Sequence, residues 1–332
     1  MKILVTGASG YVGNKLVRSL VEQGNQVHAF DLSISPDNFP QHPNINIFKG
    51  NILDEESLTN AMKGCDQVYH LAAIVKFWSK EPDIFYRVHI GGTNNVLKIA
   101  LKLGVNKLVY TSTCGVWSPC NDYIFTENDP NISSFDNDYD LSKFLAEKAV
   151  REYSSKGLFT VIVNMPRVYG PGQLNHSNAV NRFICQLLNN KISPLLWRLE
   201  TKANYAFIDD VVKGHILAME KGLAGERYIL GGENISYKKF IETIRRITSI
   251  KNIFLRIPSP ILKAWSWIEL MRAKLNNHDP MLTPAIAKRF ALDKMMDPSK
   301  AIKQLGYSIT PFEKGMQITI NHLKTNNYVH FR

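Results

Sequence analysis

Tyr139 and Lys143 stand four residues apart in YDLSKFLAEKAV, so a helix over this stretch puts a phenol and an ammonium on one face. A free phenol, with a pKa near about 10, is a poor base at neutral pH. A cation held beside it stabilises the phenolate and draws its pKa toward the working range, which suits it to exchange a proton with a substrate oxygen. The spacing alone is weak evidence in a chain with 13 tyrosines and 40 lysines and arginines. Upstream, LVYTSTCGVW ends a β-branched run in three hydroxyl residues, Thr111, Ser112 and Thr113.

A second set concerns phosphate. VTGASGYVGNKL places Gly7, Gly10 and Gly13 where a first strand must turn into a first helix. There the first glycine permits a tight bend, the second lets backbone approach a pyrophosphate, and the third packs the helix on the sheet. The free N–H groups of the helix start suit an anion. Asp31 falls at the tip of the second strand, where a carboxylate accepts both ribose hydroxyls. That is an NAD arrangement: Asp31 would repel a 2′-phosphate, and no Arg or Lys follows it before Lys49, so NADP is disfavoured.

The elements that carry these groups alternate. KILVT, QVHAF, NINIF, DQVYH, KLVYT and FTVIV read as strands, and residues 14–22, 54–62 and 83–103 between them as helices. Asp54 is an N-cap, and Gly64 and Gly104 stand where helices stop. This pattern predicts an α/β protein with a doubly wound parallel sheet, whose ligands sit at the carboxyl edge of the strands. Regularity fails after about residue 170. The expected division is a Rossmann domain over 1–170 plus about 205–231, and a smaller, mostly α substrate lobe over 171–204 and 232–332.

With 332 residues and 45% hydrophobic content, the chain can bury a full core. Neither secretion nor membrane spanning is expected, because no charged n-region with an apolar h-region precedes Lys2-Ile3-Leu4-Val5 and no apolar run nears the roughly 18 residues of a membrane span. Four cysteines lack metal-ligand spacing, so no metal and a reducing cytoplasm are expected. Net charge is +11, and residues 238–332, with 17 Lys/Arg against 6 Asp/Glu, hold the whole surplus.

These stretches jointly resemble the extended short-chain dehydrogenase/reductase family, of the NAD-dependent epimerase/dehydratase type, over nearly the whole chain. TGASGYVG is similar to its phosphate loop, VYHLAA to its mid-sheet cofactor wall, GGTNNVL to its central helix and YDLSK to its YxxxK motif. YDLSKFLAEKA, GERYILGGEN and DPSKAIKQLGY are most similar to the dihydroflavonol reductase, 3β-hydroxysteroid dehydrogenase and hopanoid-associated sugar-epimerase branch. The resemblance implies a catalytic set of Thr113, Tyr139 and Lys143, with Ser112 the alternative hydroxyl. It implies cofactor contacts from Gly7, Gly10, Tyr11, Val12, Gly13, Asp31, Asn51, Ile52, Leu71, Ala72, Ala73, Thr111, Tyr139, Lys143 and Pro166. Three departures stand out. Asn51 replaces the usual Asp at the adenine amine; His89 replaces the usual central-helix Asn, as a member of a water relay to Lys143 or as a packed residue; Asn164 replaces the Arg of many sugar-modifying relatives.

Substrate follows from similar differences. ANYAFIDD has Ala203 and Phe207 where sugar-nucleotide enzymes place a diphosphate-binding Arg, and Lys202 is the one nearby substitute. A site lined by Phe77, Trp78, Phe207, Trp265 and Trp267 would suit an apolar small molecule. The expected activity is therefore oxidation or reduction of a hydroxyl/ketone carbon with NAD. NAD-dependent sugar epimerisation or dehydration is the alternative, and a non-catalytic cofactor-binding protein is the third reading. SPILKAWSWIELMRAKL interleaves Lys263, Arg272 and Lys274 with Ile261, Leu262, Trp265, Ile268 and Leu275, a basic amphipathic helix able to cover a core or to touch an anionic membrane surface. Scattered cations and the absence of a nucleic-acid motif give no specific nucleic-acid partner. A homodimer, paired through the central helix and the YxxxK helix, is implied by the resemblance.

Overall fold

The computed structural model describes residues 1–130, 135–175, 177–190, 192–196, 198–250, 253–276, 280 and 282–329. The β-branched runs form seven parallel strands: β1 Lys2–Thr6, β2 Gln26–Asp31, β3 Ile45–Lys49, β4 Gln67–His70, β5 Lys107–Thr113, β6 Thr160–Met165 and β7 Arg227–Ile229. Their order across the sheet is β3-β2-β1-β4-β5-β6-β7. Winding reverses between β1 and β4, which opens a crevice at the carboxyl ends of those two strands. The first six strands match the sequence expectation, while β7 lies inside GERYIL, too short a run to stand out by periodicity.

Helices cover both faces of the sheet. Tyr11–Glu22 and Ile208–Lys221 bury Leu16, Val17, Val211 and Val212 on one side. Glu55–Met62, Thr93–Lys102 and Asp138–Ser155 bury Leu58, Leu97 and Val150 on the other. Each such fully buried aliphatic side chain contributes roughly 1.5–3 kcal/mol through water release. Gly64 and Gly104 end their helices with φ of 71° and 70°, a left-handed turn that glycine enters without steric cost. The helix expected over 83–103 is three joined segments: Asp83–Tyr86, a π-helical stretch Arg87–Gly92, and Thr93–Lys102. The wider π turn places His89 inside, 1% exposed.

A second core is organised differently. Arg167–Tyr169, Lys202–Phe207 and Glu233–Ser236 form a three-stranded sheet, with helices Ala179–Asn189, Tyr237–Thr248 and Phe312–Thr325 packed on it. Its centre is aromatic: Tyr205, Phe240 and Phe312 lie with ring centroids 5.1–5.8 Å apart. Phe207, expected to line a pocket, is 4% exposed here and packs edge-on against Tyr169. It is a core residue because Tyr205 and Phe207 alternate along a strand whose inner face is covered by helices.

Candidate active site

At the β1 turn, Gly7 has a φ of 71°, and a Cβ on it would lie 2.7 Å from the Ala72 nitrogen. The glycine loop thus rests on the Leu71–Ala73 segment that leaves β4. The two sequence stretches meet at the reversal point: Leu71 N–H donates to Thr6 O at 3.1 Å, and Ala72 N–H to Thr6 Oγ1 at 3.3 Å. A Cβ on Gly13 would strike Gly7 O, so the helix can approach the turn only without one. The first helical bond runs from Asn14 N–H to Gly10 O at 2.9 Å, which leaves the N–H groups of Val12 and Gly13 directed out of the helix start. Tyr11 N–H donates to Ser177 Oγ at 3.3 Å. The Tyr11 hydroxyl donates to Gly170 O at 2.7 Å and ties this turn to the loop beyond Pro166.

Asp31 ends β2, with Oδ2 accepting from Ser9 N–H at 2.9 Å and Oδ1 from Ser33 N–H at 3.3 Å. The carboxylate is thereby oriented beside the turn. Sheet register sets Lys49 opposite Asp31, a cation that sequence distance had placed far away. Asn51 Oδ1 accepts from Leu53 N–H at 3.0 Å, and Ile52 O accepts from Asn95 Nδ2 at 3.0 Å, so both residues are fixed at the edge after β3. Ser9 Oγ is buried with no hydrogen-bond partner among the described residues. A backbone cradle that no Cβ can enter, outward N–H groups, an oriented carboxylate and an unpaired buried hydroxyl together fit the phosphates and ribose of NAD.

On the far side of the crevice the Asp138–Ser155 helix carries Tyr139 and Lys143 inward, 9% and 3% exposed. Asn137 caps it, Oδ1 accepting from Asp140 N–H at 2.8 Å, and Tyr86 OH donates to Asp138 Oδ1 at 2.7 Å. These bonds fix the first turn, where Tyr139 sits. Lys143 Nζ donates to Thr111 O at 2.7 Å and lies 4.3 Å from the Tyr110 ring centroid. Burial pushes its pKa down to about 7, with Glu147 opposing.

Thr113 closes β5 and accepts from Gly115 N–H at 3.0 Å, which leaves its hydroxyl proton free to donate. A Cβ on Gly115 would collide with the Asp140 carboxylate, so the missing side chain is what lets the Thr113 turn lie against the start of the Tyr139 helix. Ser112 is 2% exposed and its Oγ has no partner among the described residues. Thr111 donates to His215 Nε2 at 3.0 Å, because His215 Nδ1 donates to Val211 O at 2.8 Å; this uses the proton of the Thr111 hydroxyl.

His89 is a packed residue. Ile74 N–H donates to Nε2 at 3.0 Å, so the proton sits on Nδ1, which donates to Ser142 Oγ at 2.8 Å. With both nitrogens engaged, the ring does not serve a water relay to Lys143. Burial holds its pKa down to about 3, a neutral ring standing edge-on to Tyr139 at 5.5 Å. Phe77 covers Tyr139 from another side, also edge-on at 5.5 Å. Of the five aromatics expected around a pocket, Phe77 stands at the phenol and half-buried Trp78 follows it. Trp265 and Trp267, 37% and 59% exposed, lie on the outside of their helix.

Several residues escaped the sequence reading. Glu147, 2% exposed, takes a hydrogen bond from Asn164 Nδ2 at 2.7 Å and lies 3.7 Å from Arg227. Asn164 also donates to Thr113 O at 3.2 Å, so this position holds the strand ends together beneath the site. Glu147 follows Lys143 by four residues, a signal the helical spacing offered. Arg167, just past Pro166, donates to Tyr205 OH at 3.1 Å and Tyr237 OH at 2.6 Å; it is a guanidinium on the second core, where Ala203 is buried and Lys202 exposed.

The chain is similar to known proteins in sequence and in fold. Residues 3–231 match the model of the NAD dependent epimerase/dehydratase family. The chain is 29% identical, over 98% of its length and 95% of the other, to a protein of Synechocystis sp. provisionally named a dihydroflavonol 4-reductase. It is 26% identical, over 92% of its length and 86% of the other, to the 3-beta-hydroxysteroid dehydrogenase of Mycolicibacterium neoaurum. Among solved structures, gox2253 superposes with a TM-score of 0.81 at 27% identity, covering 99% of both chains.

Proposed function

Because the chain belongs to the NAD dependent epimerase/dehydratase family, and is thus an NAD-dependent enzyme, we propose that it interconverts the hydroxyl and ketone forms of a carbon in a largely apolar small molecule. The observation that carries this is the convergence of Tyr139, Lys143 and the Thr113 turn at the carboxyl edge, across the crevice from the glycine cradle. NAD, when bound, supplies the hydride acceptor or, in its reduced form, the donor. Tyr139 gives a proton to, or takes one from, the substrate oxygen, and Lys143 stabilises the phenolate as an ammonium. Thr113 donates a hydrogen bond to that oxygen, with its acceptor side already occupied by Gly115 N–H. Val12 and Gly13 offer the phosphates their backbone N–H groups, Gly7 and Gly10 keep the turn clear of side chains, and Asp31 holds the adenosine ribose and selects NAD over NADP. Leu71, Ala72, Ala73, Asn51, Ile52 and Pro166 line the remaining cofactor path.

The apolar substrate is supported by Phe77 against Tyr139, by the lack of an arginine at positions 203 and 207, and by the names of the two curated relatives. Sugar epimerisation uses the same Tyr and Lys and is the reading to test against. A panel of steroid, flavonoid and branched ketone substrates with reduced NAD, set beside nucleotide sugars, separates them: net cofactor oxidation on the apolar panel supports the reductase. Product epimers with no net cofactor change would replace it. We further propose a reducing compartment, consistent with four free cysteines, and a homodimer through Thr93–Lys102 and Asp138–Ser155, which light scattering measures.

A further inference from the structure

The Ser259–Asn276 helix turns its polar and small residues inward. Ser266 is fully buried, Ala273 likewise, and Glu269 is 8% exposed. Outward stand Ile261, Trp265, Trp267, Ile268, Met271 and Leu275, of which Leu275 is 80% exposed. This one helix holds six of the eighteen large exposed hydrophobics in the described chain. A helix that merely covers a core does the reverse. Scattered exposed apolar side chains are ordinary, but six on one helix mark a surface that meets something other than water.

The charges choose among occupants. Lys263, Arg272 and Lys274 are exposed on the same helix, and its one acidic residue, Glu269, points inward. Two copies pressed together through this surface would bring like charges into contact, which costs rather than stabilises. An anionic lipid surface matches both properties at once: apolar and indole side chains enter the headgroup boundary, and the cations near either end meet lipid phosphates. Tryptophan is suited to that boundary, with an apolar body and one N–H donor. Among the described residues no helix is long and apolar enough to cross a membrane. The geometry therefore points to the helix lying in the surface plane, and we propose that it docks this protein peripherally on anionic membranes.

Docking is independent of the catalytic assignment, so it is tested without turnover. The full chain is sedimented with vesicles of phosphatidylcholine alone and of phosphatidylcholine with phosphatidylglycerol, at low and high salt. Binding is expected on the anionic vesicles, weakened by salt. The Lys263→Gln/Lys274→Gln double variant is expected to bind about tenfold more weakly. The Trp267→Ser/Ile268→Ser/Leu275→Ser triple variant, altered only at exposed positions, is expected to lose binding while its unfolding midpoint and NAD affinity stay at the parent value. Three results would overturn the proposal: no sedimentation with anionic vesicles, triple-variant binding equal to the parent, or conversion of a dimer to a monomer by the triple variant. The last assigns the surface to a second copy.

Discussion

Two helices of 18 residues each, Asp138–Ser155 and Ser259–Asn276, depart from the usual sorting of side chains in opposite directions. The first buries Tyr139, Lys143 and Glu147; the second exposes two tryptophans, isoleucines and a leucine. In the first, the three buried charges have partners within the fold: Thr111 O for Lys143, Asn164 and Arg227 for Glu147, and Asn137 for Asp140. In the second, the outward residues have water. A buried polar group with partners is preorganised for chemistry, whereas an apolar group facing water is satisfied only by something that arrives.

The largest expected effect tests the first helix at its chemical end. Tyr139→Phe is expected to lower turnover by about 10²–10⁴-fold while leaving NAD affinity by fluorescence titration unchanged. Unchanged turnover would remove the phenol from the mechanism. Next comes its structural end. Glu147→Ala leaves Arg227 buried without its carboxylate and is expected to cost about 3–5 kcal/mol in urea unfolding; a cost below 1 kcal/mol would mean that the pair is not holding the helix to the strand ends.

Acid should then find the same region first. Burial lowers the pKa of His89 and of His70, which ends β4 with its ring nitrogens bonded to Thr6 and Thr93 and lies near Lys143, to about 3, against about 6.5 in an unfolded chain. Below pH 6.5 the unfolded chain binds protons that the folded one refuses, so stability falls with pH from 6.5 toward 3, by about 2 kcal/mol per histidine at pH 5. Urea midpoints at pH 7 and pH 5 measure it, and His89→Asn should reduce the difference. The smallest effect belongs to the second helix: Leu275→Ser is expected to change stability by less than about 0.5 kcal/mol, because the side chain already faces solvent. A larger loss would mean that the leucine is packed and that the contrast between the helices fails.

Much of the site was legible because its signals are local. The glycine turn, Asp31 at a strand tip and the Tyr139/Lys143 spacing each depend on a few consecutive residues and one element's period. Phe207 misled because its aromatic character is the same in a pocket and a core. His89 stayed ambiguous because its two partners, Ile74 and Ser142, lie 15 and 53 residues away.

By itself the sequence determined which residues share a face and where strands become helices, since φ/ψ preference and periodicity are properties of short segments. It therefore determined the doubly wound sheet, the glycine turn after β1 and the shared helix face of Tyr139 and Lys143. Only the tertiary structure decided which face turns inward and what lies across from it: Lys49 beside Asp31, Gly115 against Asp140, Asn164 joining Thr113 to Glu147, and the tryptophans of residues 259–276 outside. These depend on which distant elements become neighbours, and on burial energies summed over the whole chain, neither of which a single segment encodes.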